Sequence, residues 1–133
     1  MLKTYQGGCH CGAVRYEADI DLTEETGRCN CSVCAKRRFW GITVKRDAFR
    51  LMSGQDALGD YQFGSNSVHH RFCRTCGVAI FGDGYVEEIG GAFYSISLAT
   101  LEDAEPDLAE APIKYMDGFN NNWWNAPVEV RHL

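Results

Sequence analysis

Seven cysteines fall in three tight groups, Cys9-His10-Cys11, Cys29-Asn30-Cys31-Ser32-Val33-Cys34 and Cys73-Arg74-Thr75-Cys76. The middle group crowds three thiolate donors into six residues and supplies no fourth. Each outer group contributes two donors and is followed at once by a glycine, Gly12 or Gly77. A glycine there lets a metal-binding turn adopt positive φ and aim its amides at the sulfurs. Seven therefore divides into a set of four and a set of three. A structural zinc takes four protein ligands, whereas a catalytic zinc commonly takes three and keeps one position for water or substrate. The expectation is two zinc ions with different work: one closed, one open at Cys29, Cys31 and Cys34. The outer pairs are too far apart in sequence for a single finger or compact ribbon. If they share an ion, it ties the start of the chain to its middle, a matter that spatial proximity decides.

A run of cations, Lys36-Arg37-Arg38, follows the triplet. Ser32 is placed to cap a short helical turn through it, which would set Cys34 near the positive end of a helix dipole. Dipole and cations both favour thiolate over thiol. On a chain of net charge -5, such a run also suggests an anionic partner, although a solvated charge run is the plain alternative.

The segments that must position these groups read mostly as strands. Val14, Tyr16 and Ala18 share one face of an alternating stretch. Segments 39–44, 49–52, 61–63, 68–72, 78–81 and 92–98 are short, rich in aromatic and branched residues, and separated by Gly, Ser, Asn or Asp. Gly82-Asp83-Gly84 reads as a turn, residues 19–28 as a loop, and Val128-Glu129-Val130 as a last strand. The acidic run 101–110, interrupted by Pro106, is the one other helical candidate. Of the adjacent Trp123 and Trp124, opposite strand faces would bury one and leave the other to roof a pocket. His69 and His70 face opposite ways on a strand, so at most one can serve a site as a proton carrier.

At 133 residues the chain is expected to be a single domain, residues 1–133, able to bury a core without disulfides. No apolar run approaches the roughly 18 residues that cross a bilayer. Met1 to Gly8 lacks the pattern of a secretory signal, so the expected location is the cytoplasm, where cysteines serve as ligands or catalytic thiols. The negative net charge disfavours a nucleic-acid partner.

The ordered motifs GGCHCG, CNCSVC and RFCRTCG resemble the glutathione-dependent formaldehyde-activating enzyme family, whose domain also occurs in centromere protein V. The resemblance covers nearly the whole chain. It implies a mainly β fold of several small coiled antiparallel sheets around a structural zinc, related to that of methionine-R-sulfoxide reductases. It further implies that Cys9, Cys11, Cys73 and Cys76 bind the structural zinc and that Cys29, Cys31 and Cys34 bind a second, labile one. The family's reaction joins glutathione, as cosubstrate, to formaldehyde, formally a carbon–sulfur lyase run in reverse. In such chemistry Lys36, Arg37 and Arg38 would receive the tripeptide's carboxylates, and His69 or His70 would move a proton to the new hydroxyl.

Other readings are thinned by the same residues. A zinc deaminase needs His-x-Glu, and no histidine here has a glutamate two positions on. A methionine sulfoxide reductase of the related fold needs a catalytic cysteine in its later strands, and none follows Cys76. A thioredoxin-like role for Cys73 and Cys76 lacks a βαβ setting. The remaining alternative is a non-enzymatic zinc module that binds a small thiol or a protein.

Overall fold

The computed structural model describes residues 1–133. Ten strands form two sheets. Strands β1 (Lys3–Gly8), β2 (Arg15–Ile20) and β5 (Phe49–Ser53) make the smaller one, in the order β1-β2-β5. The larger contains β3 (Thr26–Cys29), β4 (Trp40–Lys45), β6 (Leu58–Tyr61), β7 (Val68–Cys73), β8 (Ala79–Val86), β9 (Gly91–Ser97) and β10 (Ile113–Met116). Its order is β10-β3-β4-β9-β8-β7-β6. The helices α1 (Ser32–Arg37) and α2 (Glu105–Glu110) are short.

The mainly β expectation holds, with two refinements. One sheet collects seven strands, and the β10–β3 pairing is parallel. Parallel neighbours need a long connection, and here more than half of the chain, residues 30–112, intervenes between β3 and β10. The alternation read at Val14, Tyr16 and Ala18 is real: all are buried, and β2 buries every second residue. Phe49 joins the two sheets. Its ring lies 5.1 Å from Tyr16, 4.6 Å from Phe81 and 4.3 Å from Tyr94, distances at which aromatic pairs add to simple burial.

Several local expectations are corrected. Gly82-Asp83-Gly84 is not a turn but the middle of β8. A Cβ at Gly84 would sit 2.3 Å from the Ser67 carbonyl oxygen, so the glycine marks a close backbone approach. The stretch 19–28 is not all loop, since β2 ends at Ile20 and β3 begins at Thr26. Val128-Glu129-Val130 forms no strand. Pro127 withholds a ladder donor, the Val130 carbonyl accepts a turn bond from Leu133 N–H, and Val128 is fully exposed. Trp123 and Trp124 lie in a turn rather than a strand, and neither is core, with 40% and 79% exposure. Pro106 does not break a helix but sits in the first turn of α2, where its missing N–H costs nothing. Ser32 is the first helical residue of α1; Cys31 takes the capping position and makes no side-chain cap bond.

Candidate metal centres

The Cys9–Cys11 pair lies in the turn between β1 and β2, and the Cys73–Cys76 pair in the turn between β7 and β8. The two turns are built alike. Cys9 N–H donates to the Val14 carbonyl at 3.1 Å, and Cys73 N–H donates to the Val78 carbonyl at 3.0 Å. Gly12 and Gly77 both take positive φ, 84° and 79°, as the sequence required of them. Backbone amides reach the sulfurs: Val14 N–H to Cys9 Sγ at 3.3 Å and Cys76 N–H to Cys73 Sγ at 3.5 Å. All four sulfurs lie within 4.8 Å of one another.

Metal–sulfur bonds of about 2.3 Å in a tetrahedron place the sulfurs about 3.8 Å apart. Cys9 and Cys11 Sγ are 3.6 Å apart, and Cys11 and Cys73 Sγ 3.7 Å. The donor set and its spacing fit a zinc ion. This group joins the smaller sheet to the larger one, the long-range tie that proximity had to decide.

The triplet is a separate group whose three sulfurs also lie within 4.8 Å of one another. Cys29 ends β3 and is buried, Cys31 caps α1, and Cys34 sits on that helix, the last two half-buried. Cys31 N–H donates to Cys29 Sγ at 3.3 Å. Sulfur–sulfur hydrogen bonding with Cys29 and then Cys34 lowers the Cys31 thiol well below its ordinary range, and contacts with Cys29 and then Cys31 push Cys34 up.

The segment after β10 fastens the triplet. Met116 aligns with Cys29 across the parallel pair, and Asn30 N–H donates to the Met116 carbonyl at 3.2 Å. Asn30 Nδ2 donates to Asp117 Oδ1 at 2.9 Å, and Asn30 Oδ1 accepts from Phe119 N–H at 2.9 Å. Asn30, and Gly118 beside the Cys29 sulfur, went unread in the sequence because their partners lie 87 to 89 residues away; Asn between two cysteines was the only signal.

The triplet lines a cavity of about 690 Å³. Phe39, Ile42, Val68, Met116 and Trp123 give it apolar walls, while Glu24, Glu25 and Lys114 bring charge. A second cavity of about 560 Å³ shares Val33 and His70 with the first and adds Arg37, Asp60 and Tyr61. The set of four cysteines lines neither cavity.

Of the two histidines, His70 faces both cavities and His69 neither; His69 Nδ1 is 2.8 Å from Asp60. Burial and then the Arg37 cation lower the His70 pKa, which keeps the imidazole neutral near pH 7. The three cations after the triplet part company. Lys36 is exposed, Arg38 Nη2 donates to the Leu133 carbonyl at 3.3 Å, and only Arg37 borders a cavity, the second one. None of the three lines the cavity that holds the triplet.

A mainly β chain with two cysteine clusters able to hold metal, one of them lining a cavity, defines a protein with a thiol-lined pocket suited to a metal. Residues 4–116 match the family described as glutathione-dependent formaldehyde-activating enzyme, and the chain belongs to that family. It is also similar to a Rhodobacter sphaeroides protein of known crystal structure. That likeness has 34% identity and a TM-score of 0.70, over 82% of this chain and 99% of the other. No helix is long and apolar enough to cross a membrane.

Proposed function

We propose that the chain is a zinc-dependent enzyme of the carbon–sulfur lyase type that joins glutathione, or a similar thiol, to formaldehyde or a related aldehyde. The observation that carries this is the division of the cysteines. Three sulfurs border a cavity large enough for a peptide thiol, while the other four line neither cavity. The set of four is the structural site, and Cys29, Cys31 and Cys34 form the reactive one.

When bound to the triplet, zinc would supply the Lewis acidity that makes an incoming thiol a thiolate at neutral pH. The chain's residues supply the rest. Phe39, Ile42 and Trp123 keep water from the reacting sulfur. The new bond forms between that sulfur and the aldehyde carbon as the carbonyl π pair moves onto oxygen. His70, neutral and facing the cavity, takes the thiol's proton and returns it to the alkoxide oxygen, which becomes the new hydroxyl. Expected surroundings are cytoplasmic, with no nucleic-acid partner.

The test is direct. The purified protein is assayed for zinc, then mixed with glutathione and formaldehyde while S-hydroxymethylglutathione is followed. Two zincs and a rate above the spontaneous one support the enzyme. Two zincs with no gain in rate leave a thiol-binding module, a reading favoured by three thiolates, which blunt a metal's Lewis acidity. Cys31→Ser should lose one zinc and the rate while keeping its melting temperature. Cys76→Ser should unfold or melt far lower, since a structural metal contributes folding energy. Identical unfolding of both variants would overturn the division of labour.

A further inference from the structure

The second cavity has no task in the reaction proposed above. It holds about 560 Å³, with Val33, Phe72 and Ala79 among its apolar walls. Pockets of roughly 300–1,000 Å³ seat whole drug-sized molecules, whereas formaldehyde is scarcely larger than water and would leave nearly all of this space empty. The first cavity already has room for the thiol, and the two meet at Val33 and His70. A larger carbonyl partner therefore has a chamber of its own beside the histidine that carries the proton.

Arg37 gives that chamber a charge. Its guanidinium lies over the Phe39 ring at 4.9 Å, its Nη2 donates to His70 Nδ1 at 3.4 Å, and its Nε is buried with no hydrogen-bond partner. The one acid of the chamber, Asp60, is engaged elsewhere, by His69 Nδ1 at 2.8 Å and Arg71 Nη1 at 3.7 Å. A buried guanidinium donor left unpaired is costly, and its planar fork of donors suits a carboxylate. Arg37 also stands three residues beyond Cys34 on α1, on the same helix face and about 4.5 Å along the axis. An anion held there is a few bonds from a carbonyl placed beside the triplet.

We infer that the second cavity seats the carbonyl partner and that this partner is an aldehyde acid, its carbonyl at His70, its short apolar chain along Val33, Phe72 and Ala79, and its carboxylate on Arg37. The inference rests on the thiol-addition reading above and names the class of electrophile, an oxo acid of roughly two to four carbons. Arg37 borders this cavity and not the one that holds the triplet, so it is given to the carbonyl partner rather than to the carboxylates of the thiol.

The arrangement couples binding to chemistry. A guanidinium only donates, so the His70 Nδ1 lone pair is the acceptor of the 3.4 Å bond and is not free to take a proton. A substrate carboxylate is the stronger acceptor and draws the guanidinium to itself. The released lone pair then removes the thiol's proton as sulfur bonds to the carbonyl carbon. The carbonyl π pair becomes an alkoxide, which recovers that proton from His70, while the carboxylate passes through unchanged. Nothing is oxidised or reduced. An aldehyde without an acid group lacks this release, so the preference should appear in kcat as well as in KM.

The zinc-loaded protein is given saturating glutathione and, in turn, formaldehyde, 4-oxobutanoate and the methyl ester of 4-oxobutanoate, and hemithioacetal formation above the spontaneous rate is followed. The ester group is remote from the carbonyl, so the acid-to-ester ratio reads the carboxylate alone. The acid is expected to exceed the ester about 10-fold or more in kcat/KM, the scale of a hydrogen-bonded charge, with part of the gain in kcat. Arg37→Met should bring that ratio to about 1, the carboxylate having lost its donors, and Arg37→Lys should restore part of it. Ala79→Leu, which narrows the chamber, should slow acid and ester alike relative to formaldehyde. No gain in rate with any aldehyde, formaldehyde included, overturns the enzyme reading and this assignment with it. A gain with formaldehyde but equal rates for acid and ester overturns the aldehyde-acid assignment alone. An equal loss for all three aldehydes in Arg37→Met, with the acid-to-ester ratio kept, overturns it too, since the arginine then serves only the cysteine site.

Discussion

Gly118 approaches the triplet so closely that a methyl group there would lie 2.6 Å from Cys29 Sγ and 2.7 Å from the Trp123 ring. Neither neighbour is free to retreat without disturbing the cavity wall. Gly118→Ala is therefore expected to destabilise the protein by about 1–3 kcal/mol, as overpacking does, and to weaken metal binding at the triplet while sparing the set of four. Metal content after dialysis against a mild chelator checks this: one zinc retained, one lost. Asn30→Ala removes two hydrogen bonds that hold the triplet to the Asp117–Phe119 turn. A loss of about 1–2 kcal/mol in urea unfolding is expected. At this scale the seven cysteines were legible, because close spacing with a trailing glycine is a local signal. Lys114, Glu25 and Gly118 were not, because nothing in their own neighbourhoods tells that β10 will run beside β3.

Helix α1 shows how an element can be right in existence and wrong in its reasons. The sequence placed a helical turn after the triplet, but assigned its cap to Ser32, whereas Ser32 is the first helical residue and Cys31 stands at the cap, its sulfur close to those of Cys29 and Cys34. Ligand geometry outranked capping chemistry. At the other end Arg38 takes φ 49°, a left-handed conformation, and its N–H returns to the Ala35 carbonyl at 3.3 Å. That conformation costs a side-chain-bearing residue about 1–2 kcal/mol. Arg38→Gly should relieve it, for a net gain under about 1 kcal/mol after the glycine's own entropy. A slightly higher melting temperature with an unchanged preference between aldehyde acid and ester is the expected result, separating Arg38 from its neighbour Arg37. Strand β8 carries a related lesson: two glycines around an aspartate look like a turn, yet here Asp83 pairs with Arg71 Nε at 2.7 Å across the sheet and the strand runs on.

Across the whole molecule, the two cysteine groups occupy different mechanical positions. The set of four joins the β1–β2 turn to the β7–β8 turn, so one ion held there would tie sheet to sheet. Graded chelation should accordingly proceed in two stages. The first zinc should leave with little change in the far-ultraviolet circular dichroism or the melting temperature, and the second only with cooperative unfolding. Fold class and the four-plus-three division were readable in advance because both rest on short-range patterns. The seven-strand order was not, since β10 pairs with β3 across a long stretch of intervening chain that no local pattern reports.

The three sulfurs of the triplet are also mounted unequally. Cys29 belongs to a strand hydrogen-bonded on both sides, by β4 and β10, whereas Cys31 and Cys34 ride a six-residue helix that contains no buried residue. Such a mounting has one stiff leg and two compliant ones. Any recoil as an ion arrives or departs would be absorbed by the helix, and its amides should exchange with deuterium much faster in the chelated protein while those of β3 scarcely change.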